Sequence, residues 1–106
     1  MLIQQGTTYN QTITMKNAAG TTPIDISGST AAAMIRETYA DPTPAAEFSC
    51  VIPTGTDGVI QISLTPEQTS ALTLERGVYD LEITYSNGAK DRILQGNVVV
   101  SKEATK

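Results

Sequence analysis

The residues best suited to chemistry are Asp80 and Glu82, in the run Tyr79-Asp80-Leu81-Glu82-Ile83. Side chains two apart share a face of a strand, so these two carboxylates would stand about 7 Å apart. Paired carboxylates at such a spacing can hydrolyse a glycosidic bond. The competing reading is a solvated face with one member paired to Arg92. With no aromatic platform visible beside them, the solvated face is preferred. Thr56-Asp57-Gly58 offers one carboxylate where calcium requires about six to eight oxygens, and it reads as a turn. Cys50 alternates with Phe48 and Ile52 on an apolar side, and the chain has no histidine to act as its base, so it reads as core. Asn10-Gln11-Thr12 fits a glycosylation sequon but reads as incidental without an export signal. Of the four tyrosines, Tyr9, Tyr79 and Tyr85 follow strand alternation inward. Tyr39 is left as the candidate for an exposed, sugar-stacking contact. The sequence thus nominates no catalytic residue, no metal ligand and no cofactor.

Composition narrows the classes further. At 106 residues the chain is long enough for one domain with its own core. Its net charge of −4, with seven scattered Lys and Arg, argues against nucleic acid, which demands a basic stripe. The same balance disfavours a membrane surface, and no apolar run approaches the roughly 20 residues of a span. Met1-Leu2-Ile3-Gln4-Gln5 lacks the basic and apolar regions of a signal peptide. A single cysteine allows no internal disulfide, as expected of synthesis in a reducing cytoplasm. Sixteen threonines with few long charged side chains describe an all-β structural or adhesive module.

The stretch from Gly77 to Ser101 sets the framework. Tyr79, Leu81, Ile83 and Tyr85 form one face of a strand, and Ser86-Asn87-Gly88 signals a hairpin. A two-residue Asn87-Gly88 turn places Tyr85 opposite Lys90 and Ile83 opposite Arg92. A three-residue turn with a left-handed Gly88 instead places Glu82 opposite Arg92, Ile83 opposite Asp91 and Leu81 opposite Ile93. The second is preferred, because a one-residue slip turns a strand's whole side-chain set to the other face. Gly96-Asn97 is expected to break the chain before a short closing strand, Val98-Val99-Val100.

Upstream, Thr7 to Lys16 predicts a strand with Tyr9, Gln11, Ile13 and Met15 on one face. Asn17 to Gly20 is a turn signal, and Ile24 and Ile26 bracket a short edge segment. Ser29 to Arg36 predicts a strand burying Ala31, Ala33 and Ile35, with Met34 partly covered on the opposite face. Glu37 to Ala46 holds Pro42 and Pro44, which prevent regular pairing, and reads as a sandwich crossover or a binding loop. Glu47 to Pro53 and Val59 to Leu64 predict a hairpin about Asp57-Gly58. Thr65-Pro66-Glu67-Gln68 begins a short helix ending near Leu72 or Leu74, with Thr65 as cap and Gln68 completing a capping box. The expected fold is all-β: one antiparallel β-sandwich over residues 1–106, Ig-like or jelly-roll-like, of about seven or eight strands with one short helix near 65–74. Residues 1–5 are expected to form an arm outside it and 102–106 a polar tail.

Certain framework residues resemble a known family. They are Gln5-Gly6-Thr7-Thr8-Tyr9, Pro23-Ile24-Asp25-Ile26-Ser27-Gly28, Ile35-Arg36, Gly77-Val78-Tyr79-Asp80-Leu81 and Asp91-Arg92-Ile93-Leu94-Gln95-Gly96-Asn97-Val98. Together they are similar to small β-sandwich virion proteins of tailed bacteriophages, the capsid decoration or cement type, and to N-terminal domains of upper-baseplate proteins. The resemblance implies a non-enzymatic structural protein in the virion, bound to the outer surface of the major capsid protein's shell, with copies of itself as a second partner. A tail or baseplate accessory protein and a carbohydrate-binding module are the alternatives. The expected partner-binding residues are Met1, Leu2 and Ile3 in the arm and Tyr39, Pro42 and Pro44 in the proline loop.

Overall fold

The computed structural model describes residues 1–17 and 19–104, so Ala18 of the expected Asn17–Gly20 turn and the last two residues of the expected tail lie outside it. Eight strands are arranged in two sheets. They are β1 (Leu2–Gln4), β2 (Tyr9–Thr14), β3 (Thr30–Arg36), β4 (Ala46–Glu47), β5 (Ser49–Val51), β6 (Val59–Leu64), β7 (Arg76–Thr84) and β8 (Lys90–Ser101). One sheet has five strands in the order β1-β8-β7-β3-β4, and the other has three in the order β2-β6-β5. The architecture is the all-β, two-sheet fold that the alternating pattern predicts.

The core forms where the two inner faces meet. Ile35, Leu81, Ile83, Val98 and Val100 come from the larger sheet, and Ile60, Ile62 and Leu64 from the smaller. Each alternates with an outward residue, as the pleat requires. A buried isoleucine or leucine stabilises the fold by roughly 1.5–3 kcal/mol, so this layer is the main source of stability.

The hairpin of β7 and β8 follows the three-residue turn at its tip. The Tyr85 amide donates to the Ala89 carbonyl, the Gly88 amide donates to the Tyr85 carbonyl, and Gly88 takes φ +89°, which a side chain would resist. Glu82 stands opposite Arg92 and Ile83 opposite Asp91, as expected. A bulge between Leu81 and Glu82 then shifts the register, so Leu81 faces Leu94 and not Ile93. The extra residue on β8 restores an apolar partner for Leu81 after the charged rungs near the turn. Nor does Gly96-Asn97 end the strand: β8 runs unbroken from Lys90 to Ser101. Gly96 lies opposite Tyr79, and a Cβ there would come within 3.2 Å of the tyrosine ring. The neighbouring ring occupies the space a side chain would take, so the glycine punctuates the pattern without breaking the ladder.

Two further expectations are corrected. The segment Glu47 to Pro53 is not one strand. Its chain passes from the larger sheet, as β4, to the smaller, as β5, with buried Phe48 at the crossing and its amide donating to the Ala33 carbonyl. The passage between sheets therefore happens at Phe48, whereas Glu37 to Ala45 connects two neighbours of the same sheet. The second correction concerns the arm. Residues 2–4 form β1, an edge strand paired in parallel with β8, and Ile3 is fully buried. Ile3 answers Val100 across the ladder and completes the core at this edge, so the sheet is not wholly antiparallel and the arm is not outside the fold.

The helix α1 (Pro66–Ser70) has the expected capping box: Thr65 Oγ1 accepts from the Gln68 amide, and Gln68 Oε1 accepts from the Thr65 amide. It is shorter than expected, and Leu72 beyond it is buried. The fully buried Thr69 hydroxyl accepts from the Gly6 amide and donates to the Thr7 carbonyl, tying the helix to the chain that leaves β1.

Candidate functional site

The outer face of the five-stranded sheet carries the candidate site. Alternation turns Met34 and Arg36 of β3, Val78, Asp80 and Glu82 of β7, and Arg92 and Gln95 of β8 to this face. Register brings Met34 beside Asp80, Asp80 beside Gln95, and Glu82 beside Arg92. Tyr39 comes over this floor from the loop after β3, its hydroxyl directed at the Gly96 carbonyl at 3.4 Å. The result is an open groove of about 350 Å³, walled by Tyr39 and Arg36 on one side and Asp80, Arg92 and Gln95 on the other. That volume lies at the small end of ligand sites, roughly 300–1,000 Å³.

Charge is unevenly matched across it. Arg92 Nε lies 3.3 Å from Asp80 Oδ2 and its Nη2 lies 3.9 Å from Glu82 Oε1, while Nη1 donates to Gln95 Oε1 at 3.1 Å. One guanidinium thus holds both carboxylates that the spacing singled out, the ion pair that the solvated-face reading expects. Arg36 differs. Its Nη1 donates to the Asp41 carbonyl at 2.8 Å, fixing the loop that presents Tyr39, and its Nη2 lies 3.5 Å from Met34 Sδ. Among the described residues no carboxylate lies within ion-pair distance of this half-buried cation.

The other sequence candidates are dispersed. Tyr39 is 54 % exposed, as expected of a contact residue, whereas Pro44 lines a separate depression with Glu37, Asp41, Thr43, Thr73 and Leu74, and Pro42 is simply exposed. Of the former arm, Leu2 is 57 % exposed and Met1 is half-buried, its amine donating to the Asn97 carbonyl, while Ile3 is buried and cannot meet a partner. Tyr9 and Tyr79 both pack against the core; the Tyr9 ring lies 6.0 Å from that of Phe48, and burial, reinforced by Tyr79, pushes the Tyr9 phenol above its usual range. Tyr85 lies at the hairpin tip and donates to Asp91 Oδ2 at 3.0 Å. Burial likewise raises the Cys50 thiol, which is held neutral beside the Phe48 carbonyl. Asn10 is exposed on β2 opposite Ser63. Asp57 sits in a 3₁₀ turn closed by a left-handed Gly58, and among the described residues no cluster of acidic or soft ligands could hold a metal ion. No helix among them is long and apolar enough to cross a membrane.

Sequence reasoning missed the conjunction at the groove. It found Tyr39 and found Asp80, but their separation along the chain hides that the loop folds back over β7. The parity of Met34, Arg36, Val78 and Asp80 was a usable signal, since it marks one outer face that is neither fully polar nor fully apolar. A scan against protein-family models and a search of curated proteins find nothing that matches the chain.

Proposed function

We propose that this chain is a non-enzymatic structural protein of a tailed-phage virion, seated on the outer surface of the capsid shell. The framework resemblance supports the class. The observation that carries the reading is the open edge of the larger sheet at β1. The Met1 carbonyl and the Gln5 amide bond to β8, so in a parallel ladder the Leu2 backbone groups and the Gln4 amide turn away from it. The Gln4 carbonyl is already taken by the Thr7 amide and hydroxyl. Beside this edge Leu2 and Val99 stand in register, 57 % and 45 % exposed. An unpaired edge flanked by apolar side chains is a template for a neighbour's strand. A shell offers many equivalent sites, so modest affinity at each suffices when several contacts form together.

The test is to quantify the protein in purified particles. Copies in the hundreds on capsids are the expected result, and a few copies confined to tails overturn the capsid assignment. The exposed Leu2 gives a second arm: Leu2→Lys should leave the melting temperature unchanged within a few degrees and lower occupancy on particles. Undiminished occupancy would move the anchor away from this edge.

A further inference from the structure

We propose that the groove under Tyr39 binds an acidic sugar, with Arg36 taking its carboxylate. The chain is acidic overall, yet two of its three arginines, Arg36 and Arg92, line this one groove. Arg92 is neutralised by Asp80 and Glu82, and Arg36 is not neutralised by any described residue. Arg36 donates from Nη1 to the Asp41 carbonyl and has only Met34 Sδ near Nη2, so this half-buried guanidinium has no ion-pair partner, and its remaining N–H donors can take a carboxylate.

The rest of the groove selects the kind of molecule that brings the carboxylate. Tyr39 presents an exposed ring above the apolar Met34 and Val78, a surface suited to the C–H face of a pyranose. Asp80 and Gln95 add a carboxylate and an amide to the opposite wall, able to accept from and donate to ring hydroxyls. An acidic peptide would meet the same cation but would also meet Asp80 and Glu82, whose charges oppose a second anion nearby. A pyranose carrying one carboxylate satisfies the cation, the ring and the acceptors together. The volume of about 350 Å³ suits a short segment of such a glycan, held at an open surface.

The experiment uses the full chain and titrates three probes by NMR or calorimetry: an oligogalacturonate, an oligomannuronate and sialyllactose. Each is compared with its neutral counterpart, carboxyl-reduced or desialylated, and with a glutamate-rich peptide. At least one acidic sugar should bind about tenfold or more tighter than its neutral form, with affinity falling as salt is raised. Arg36→Gln should abolish that preference. Arg36→Lys should retain part of it, because the charge survives while the fork is lost, and Tyr39→Ala should weaken acidic and neutral forms alike. Thermal melts of each variant separate loss of binding from loss of fold, with Tyr39→Ala as the variant whose exposed side chain leaves the core untouched. Equal affinity for acidic and neutral sugars, an acidic preference that survives in Arg36→Gln, tighter binding of the peptide, or no binding of any acidic probe at millimolar concentration would each overturn the proposal.

Discussion

The two sheets turn very different faces to solvent. Outward from the smaller sheet stand Asn10, Thr12 and Thr14 of β2, Ser49 and Val51 of β5, and Gln61 and Ser63 of β6, with no charged residue in any of these strands. Outward from the larger sheet stand Arg36, Asp80, Glu82 and Arg92, together with a tyrosine folded across them. Both sheets supply the core with the same apolar alternation, so the contrast owes nothing to stability. Threonine and serine on the small sheet satisfy β-propensity and solubility and do little else. The charged groove of the large sheet holds a cation, Arg36, that bonds the Asp41 carbonyl but pairs with no described carboxylate. Where a surface carries chemistry beyond what folding requires, that surface is the place to look for function.

The largest effect should come from the open edge of the large sheet. Ile3→Ala is expected to cost about 2–5 kcal/mol, the range for truncating a buried isoleucine, and removing residues 1–5 should cost more. Denaturant unfolding of both variants measures this. A truncated chain that melts with the parent would mean that β1 is an appendage, and the two sheets would then be closer to equals. Next comes the join between that edge and the helix. Thr69→Val keeps the shape but leaves the Gly6 amide and the Thr7 carbonyl without their hydroxyl partner, for an expected loss of about 1–3 kcal/mol. A neutral result would place water at that point. The smallest effects should separate the two outer faces. Arg92→Gln removes exposed ion pairs and should change stability by less than about 1 kcal/mol, with the difference shrinking in salt. Thr12→Ser on the small sheet should stay within about 0.5 kcal/mol and show no salt dependence. A salt-sensitive Thr12 variant, or a salt-blind Arg92 variant, would erase the contrast between the faces.

Much of this fold is legible in the sequence because each element states its own rule locally. The capping box at Thr65 and Gln68 and the left-handed Gly88 are set by residues within a few positions of each other, and both are found as predicted. The strand β6 likewise runs from Val59 to Leu64 as its alternation requires. Errors cluster where a distant partner decides. Ile3 looks like a stray apolar residue until β8 arrives beside it from the far end of the sequence. Phe48 looks like one more inward residue in a strand, and only the positions of both sheets reveal it as the crossing point. Gly96 reads as a breaker because the ring of Tyr79, which fills its place, is sequentially remote. The groove followed the same pattern: its tyrosine and its acid were each visible, and the fold that joins them was not.

The pairing of β1 with β8 has a consequence for how the protein is made. Of the eight strands β1 is made first and β8 last, so this edge of the sheet cannot close until β8 has been made. During that interval Leu2 and Ile3 lack the shelter they later share, and contacts of such long sequence separation form slowly. An unpaired apolar strand in a crowded cell is exposed to the wrong partners. The interval between making β1 and making β8 is therefore the period in which Leu2 and Ile3 stand unpaired.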